Sequence, residues 1–323
     1  MRFADDIAQR NGLDRPWVRQ ILGQARLLPL VRRLVWPPGS SAASTVKDWN
    51  AYRARIVEPV RVQAGVRFWR QHAAALERAE RDYGVPAEII VGIIGVETLY
   101  GQNMGRWRVL DTLATLAFDF PAAHPRAAER QALYARELEQ FLVLMQRSGI
   151  DPGEPRGSFA GAVGLGQFMP SSWARYAVDF DGDGRIDLFH SPEDAIGSVA
   201  CFLAGHGWKR AMPTYYAVAF DAARLRLPAL LAPGITPTFS AAEMAANGAL
   251  AQGEGARHLG PLALVELENG SQPPQYIAGT ENFYVVTRYN RSSYYALAVI
   301  ELARAVSAAA FPAPENLTHS VVP

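Results

Sequence analysis

The chain has 323 residues, 49% of them hydrophobic and 20% charged, enough apolar material for one large core or two to three lobes. Its 32 Lys and Arg face 31 Asp and Glu for a formal charge of +1, which gives no electrostatic footprint for nucleic acid. The single cysteine, Cys201, rules out an intrachain disulfide, and no run approaches the roughly 18–20 apolar residues of a membrane-spanning helix.

In chain order, residues 1–80 read as a helical domain. The start, Met1 to Asp6, shows neither a signal-peptide core nor a lipid-accepting cysteine, so the chain as written reads as soluble, with no leader or anchor in it. Asp14 ahead of Pro16 marks a helix start, and apolar residues recur from there to Leu34. Pro37 to Ser41 reads as a loop. Thr45 is placed to cap a second long helical region carrying Trp49, Tyr52, Val62, Phe68 and Trp69, and Gly84 ends it.

Residues 81–212 read as a second, mainly helical unit. Pro86 suits a first helical turn, and Ile89 to Val96 is apolar all round, which predicts a helix buried on every side. Gly92 and Gly95 weaken that helix intrinsically and imply close packing against a neighbour; Gly101 is its predicted stop. Helices follow over Leu110 to Ala117, Arg126 to Gln146 and Asp194 to His206, with a glycine-rich segment from Gly161 to Pro170. The last of these holds Cys201 in an apolar run, the setting of a buried structural thiol.

From Met212 the character changes, and residues 213–280 read as a small β-rich insertion. Leu262 to Leu267 is β-prone, and Asn269-Gly270 is a hairpin turn signal. A second β-prone run, Phe283 to Thr287, leads to a final helix from Ser292 to Ala309, so 281–310 returns to the main body. Residues 311–323 hold three prolines and read as a mobile tail. The fold class is mainly α (α+β).

Four features carry chemistry. Glu97 is the only charged residue between Glu88 and Arg106 and shares a helical face with Ile90, Ile93 and Ile94. Removing a carboxyl from water raises its pKa, and an acid still protonated near neutral pH can protonate a glycosidic oxygen. The alternative is a buried acid satisfied by backbone donors or an arginine. Asp179, Asp181, Asp183 and Gly184 match the D-x-[DN]-x-[DN]-G opening of a calcium loop, with the Arg185 carbonyl as a further donor. Position twelve is His190 rather than Glu, so Asp194 or Glu193 must close the loop; a turn without an ion is the alternative, and a single loop argues against a calcium sensor. Gly157 to Ser172 lacks a dinucleotide fingerprint, a Walker lysine and a G-x-S-x-G elbow, yet sets Ser158 and Gln167 in an apolar stretch. Finally, Tyr284, Tyr289, Tyr294 and Tyr295 cluster beside Asn290; flat rings with polar tips suit sugar faces, although each ring alone fits ordinary packing.

Val85 to Thr98, Gly157 to Ser172, Ala177 to Phe180, Asn282 to Tyr284 and Thr287 to Asn290 together resemble the membrane-bound lytic transglycosylase B family, over about Phe3 to Val306. The resemblance implies a lysozyme-like core, an N-terminal helical domain and a small β domain inserted in the core. It implies Glu97 as sole catalytic carboxylate, cutting the β-1,4 bond between N-acetylmuramic acid and N-acetylglucosamine and leaving 1,6-anhydromuramic acid ends. By matching position it implies sugar contacts at Ser158, Gln167, Tyr289, Asn290 and Tyr295, cleft walls at Phe168 and Met169, and Tyr52 reaching in from the helical domain. It implies a structural Ca2+ or Na+ on Asp179, Asp181, Asp183, the Arg185 carbonyl and Asp194, and no catalytic cofactor. The implied partners are peptidoglycan glycan strands, with other cell-wall enzymes a further possibility and no nucleic acid; the implied state is a monomer in the periplasm of a Gram-negative bacterium. The chain departs from the family at Tyr100, where Trp is expected, at Phe202, where Tyr occurs, and in a loop one residue longer before Asp194. Two rival readings stand beside this one: a hydrolytic muramidase, which needs a second carboxylate from Asp111 or Asp119, and a non-catalytic peptidoglycan-binding scaffold.

Overall fold

A computed structural model describes residues 2–36 and 47–312. The loop expected at Pro37 to Ser41, the Thr45 cap and the tail from residue 313 lie outside the described residues.

The helix expected to be buried on all sides is Ala87–Thr98, and nine of its twelve residues are buried. An apolar surface with no polar stripe has no other place to go. The C-terminal helix, Ser293–Ala310, lies directly on it. A Cβ at Gly92 would stand 2.6 Å from the Val299 carbonyl oxygen and 3.1 Å from the Ala303 Cβ, so this contact is between backbones. Gly95 and Gly65 leave a notch that the Tyr100 phenol fills; a methyl group at either would collide with its hydroxyl. The helix stops at Thr98, three residues before the expected Gly101. Leu99 and Tyr100 take φ of 51° and 56°, and the Thr98 hydroxyl donates to the Leu165 carbonyl at 2.8 Å while accepting from the Gly101 N–H at 3.0 Å. A threonine, not the glycine, organises the turn.

The N-terminal part is more broken than periodicity suggests. Asp14 does cap a helix, accepting the Trp17 N–H at 2.9 Å. That helix, Arg15–Gly23, ends early, and a separate one begins at Pro29 and runs to Val35. The expected long second helix is three: Trp49–Ile56, Pro59–Gln71 and Ala73–Tyr83. Pro29 and Pro59 each open a helix because proline cannot donate inside one. Gly84, at φ 74°, ends the third in the left-handed region, as expected.

The run Phe283 to Thr287, expected as a strand, is helix: Glu281–Tyr289. The Thr280 hydroxyl accepts the Asn282 N–H at 3.1 Å and caps it. Phe283, Val285 and Val286 are buried in the main core. A good cap and tertiary packing outweigh β propensity, which is the weaker and more context-dependent preference.

Among the described residues, six strands complete the fold. β1 (Trp107–Arg108) and β2 (Arg156–Gly157) pair alone. β3 (Tyr215–Phe220), β4 (Ala249–Ala251), β5 (Ala263–Asn269) and β6 (Gln272–Gly279) form an antiparallel sheet in the order β4-β3-β6-β5. Within the sheet, β5 is buried on both faces. Ala263, Val265 and Leu267 of β5 join the main core, while Leu264 joins a smaller one with Leu230, Met244 and Leu262. This is the period-two alternation of a strand sandwiched between two apolar layers. The main core is continuous from Ile7, Val18 and Val31 through the central helix to Val306.

Candidate active site

Glu97 occupies the last turn of the central helix, with most of its side chain enclosed and one edge open. Burial pushes its carboxyl up to about 7 from the usual 4.5, and a hydrogen bond from Tyr295 pulls the other way. The Tyr295 hydroxyl donates to Glu97 Oε1 at 2.5 Å. That leaves Oε2 to carry the proton.

Tyr295 comes from the first turn of Ser293–Ala310, whose start is fixed by Ser292 accepting the Tyr295 N–H at 3.3 Å. Its ring lies parallel to that of Tyr289, 6.5 Å away. The Tyr289 hydroxyl donates to the Gly166 carbonyl at 2.6 Å, tying the glycine-rich segment to this cluster. Burial, and then the neighbouring Glu97, hold both phenols well above their usual pKa, so both stay neutral donors. Tyr52 completes the group. Burial raises its phenol, Arg55 counters that, and Glu97 raises it further, which places Tyr52 within electrostatic range of the acid.

The glycine-rich segment forms the other wall. Gln167 has φ 50°, a left-handed conformation that costs a residue with a side chain about 1–3 kcal/mol. Its side-chain amide donates to the Met104 carbonyl at 3.1 Å and to the Gly164 carbonyl at 3.0 Å, which holds the strained turn. Phe168 is buried, its ring 5.9 Å from both Phe202 and Tyr289, so it backs the wall from behind. Met169 is half-buried and precedes the Pro170–Tyr176 helix; Asn290 is exposed at the end of Glu281–Tyr289. The Ser158 hydroxyl accepts from the Ala162 N–H at 3.0 Å and keeps its own proton to donate. It lines a cavity of about 430 Å³ with Gln102, Asn103, Met104, Trp107 and Phe159.

The two other carboxylates weighed for the site are committed elsewhere. Asp111 is buried, accepts the Arg26 N–H at 2.9 Å and pairs with Arg108 at 3.2 Å. Asp119 pairs with Arg32 at 3.0 Å. Both dock the N-terminal helices, and the side-chain hydrogen bond given to Glu97 among the described residues comes from Tyr295. Cys201 is half-buried, and burial raises its thiol, which disfavours the nucleophilic thiolate. A larger cavity, about 950 Å³, lies between Lys209–Pro213 and Gly253–Gly260. It is set apart from Glu97, and two of its cations are already engaged: Lys209 by Glu281 at 2.8 Å, and Arg210 by the Arg81 carbonyl at 2.8 Å.

In the acidic loop, carboxylate oxygens of Asp179, Asp181 and Asp194 lie within 4.8 Å of one another. Of the two closing residues considered, Asp194 joins the loop, whereas Glu193 pairs with His72 at 2.9 Å. Asp194 is buried and accepts N–H groups of Phe180 at 2.6 Å and Asp187 at 2.7 Å. Burial raises its pKa, and these amides oppose the rise. Asp179 accepts from Gly182 at 2.7 Å and Gly184 at 2.8 Å; Asp183 turns instead to the Arg185 N–H at 2.8 Å and stands outside the trio. Three converging hard oxygen donors suit a cation such as calcium.

Sequence reasoning missed Thr98 and Trp49 as parts of the site, and it named Tyr294 only as one of a tyrosine cluster. Thr98 carried no signal beyond its place after Glu97. Trp49 and Tyr294 pack against Tyr52, with ring centroids 6.4 Å and 6.2 Å away, but only the fold brings them there.

A helical core built around one buried, tyrosine-bonded carboxyl with aromatic rings packed beside it defines the class: lysozyme-like enzymes. The chain belongs to the Transglycosylase SLT domain family, whose sequence profile matches residues 1–304. It is 42% identical over 315 residues to "Membrane-bound lytic murein transglycosylase B" of Escherichia coli (strain K12), covering 95% of this chain and 82% of that protein. Among solved structures it is similar to the Escherichia coli lytic transglycosylase SLT35 in complex with bulgecin A, at a TM-score of 0.83 and 42% identity over 96% of this chain and 92% of that one. The same protein in complex with calcium gives a TM-score of 0.82, with the same identity and coverage. Soluble lytic transglycosylase SltB1 from Pseudomonas aeruginosa matches at a TM-score of 0.82 and 38% identity, over 95% of this chain and 98% of that one.

Proposed function

We propose that this chain is a lytic murein transglycosylase with Glu97 as its only acid and base. The observation that carries this reading is the Glu97 environment: a carboxyl raised to about 7 by burial and bonded by Tyr295. A hydrolase needs a base to activate water, and paired carboxylates are the usual arrangement. Asp111 is held by Arg108 and the Arg26 N–H and Asp119 by Arg32, which disfavours the muramidase reading.

Protonated Glu97 gives its proton to the glycosidic oxygen as the C1–O bond of N-acetylmuramic acid breaks, and the N-acetylglucosamine end leaves with a free hydroxyl. The substrate's own acetamido group shields the cation at C1. Glu97, now a carboxylate steadied by the Tyr295 O–H, takes the proton of the C6 hydroxyl as O6 closes on C1. The acid is restored, no water is consumed and a 1,6-anhydro end results. Gln167, Ser158 and Asn290 offer polar contacts to the sugars; Tyr52 and Tyr289 offer ring faces, and Phe168 and Met169 hold the wall.

The helical segment 1–80 and the insertion 213–280 flank the catalytic unit formed by 81–212 and 281–310. The acidic loop would hold a structural Ca2+ or Na+ through Asp179, Asp181 and Asp194, with Asp183 and the Arg185 carbonyl joining only if Asp183 leaves the Arg185 N–H, and the reaction itself uses no cofactor. Family membership supports work on peptidoglycan strands in the periplasm. Among the described residues no helix is long and apolar enough to cross a membrane.

The test is digestion of purified peptidoglycan by the wild type and by Glu97→Gln, with products read by mass spectrometry. Anhydromuropeptides from the wild type, and a loss of at least about a hundredfold in the variant, are expected. Reducing-end products would establish a hydrolase instead, and binding without release by either protein would establish a scaffold.

A further inference from the structure

The turn between β5 and β6 reaches across the molecule to the start of Trp49–Ile56, the helix that carries Tyr52. Asn269, 8% exposed, accepts the Asn50 N–H on its Oδ1 at 3.0 Å and donates from Nδ2 to the Pro273 carbonyl at 3.1 Å. Next to it, the Gly270 N–H donates to the Lys47 carbonyl at 2.8 Å, and Asn269 forms a β-bridge with Asp48. Asp48 itself accepts the Ala51 N–H at 2.9 Å.

The first turn of any helix leaves its amides unpaired. Here one is met by the residue just before the helix and another by a side chain 219 positions later. The helix is only eight residues long, too short to hold itself by propensity. The same hairpin also grips the aromatic neighbour of Tyr52. Tyr294 meets Trp49 and Tyr52 edge-on, with ring centroids 6.2 Å away in each case, and its hydroxyl donates to the Glu268 carbonyl at 3.0 Å. Lys47 and Glu268 pair at 3.2 Å beside it.

We infer that Asn269 is a positioning residue for Tyr52, acting as a long-range cap, and that the inserted sheet thereby braces one sugar subsite from the side away from the acid. This rests on the reading of Tyr52 as a sugar contact.

Asn269→Ala removes the acceptor; Asn269→Asp keeps an oxygen for the Asn50 N–H at a helix N-terminus that favours negative charge. These variants, Tyr52→Ala and the Tyr52→Ala/Asn269→Ala double are compared for KM and kcat on soluble glycan strands. Amide exchange of residues 48–54 is followed by mass spectrometry. In Asn269→Ala, exchange of that peptide rises about fivefold, the scale of a lost cap, and KM rises by a similar factor while kcat stays within about twofold. Asn269→Asp keeps the oxygen for the Asn50 N–H but loses the donor to the Pro273 carbonyl, so it recovers only part of both, and the double variant has the KM of Tyr52→Ala alone. Unchanged exchange, unchanged KM, or an Asn269→Ala effect that adds in full to Tyr52→Ala overturns the inference. Absence of glycan cleavage by the wild type overturns the proposed function instead, and exchange then decides by itself whether Asn269 holds the helix.

Discussion

Glu97 shows how far one residue's surroundings fix both chemistry and stability. Its folded pKa, about 7, lies above the usual 4.5, so the native state prefers the neutral acid. The stability this gives is fully present below 4.5 and is lost as pH rises through 7. Glu97→Gln keeps an acceptor for the Tyr295 hydroxyl and removes the charge. It should be more stable than the wild type at pH 8 by about 1–3 kcal/mol, with the gap closing as pH falls toward 4.5. Denaturant melts across that range check this; a gap independent of pH would refute it. The acid was legible because it stands alone among apolar residues, whereas its partner was not. Nothing in spacing links Tyr295 to Glu97, and only family resemblance pointed there. Asn269 was legible as part of the hairpin turn it does form, but not as a cap. Before glycine it reads as turn chemistry, yet Gly270 alone supplies the positive φ, 60°, leaving Asn269 free to cap a distant helix.

At the scale of elements, the decisive contact is the central helix against Ser293–Ala310. Gly92→Ala improves intrinsic helix propensity by about 1 kcal/mol. The added methyl meets the Val299 carbonyl oxygen at 2.6 Å, and backbone cannot step aside as a side chain can. The variant should therefore lose about 1–3 kcal/mol in a thermal or denaturant melt, as overpacked cores do. A gain would mean that the two helices have room to part. Element type was readable where the pattern was extreme, as in Ile89 to Val96, and misread where a local signal met a tertiary one. Phe283 to Val286 is rich in strand formers, but the Thr280 cap and the apolar surroundings make it helix. Helix breaks at Pro29 and Pro59 were visible as prolines and were passed over because the apolar period runs through them.

For the whole molecule, the acidic loop is the clearest lever. Asp179, Asp181 and Asp194 belong to a segment and a helix that lie against the central unit, so a cation there ties elements rather than substrate. Calcium at a hundred times its Kd should stabilise the fold by about 2.7 kcal/mol and raise Tm, with chelation reversing it. Asp181→Asn, exposed and outside the core, should abolish the shift while leaving cleavage by the folded enzyme unchanged; a Tm indifferent to calcium in the wild type would sink the assignment.

The hydrogen bond between Tyr295 and Glu97 spans 198 positions of sequence. A nascent chain that has reached the ribosome exit only as far as the insertion holds the acid without its phenol, and Gly92 without the helix that covers it. Such distant partners meet late in folding. Synthesis of the final helix thus completes the surroundings of Glu97, and a fragment lacking it would carry the acid without the phenol that bonds it.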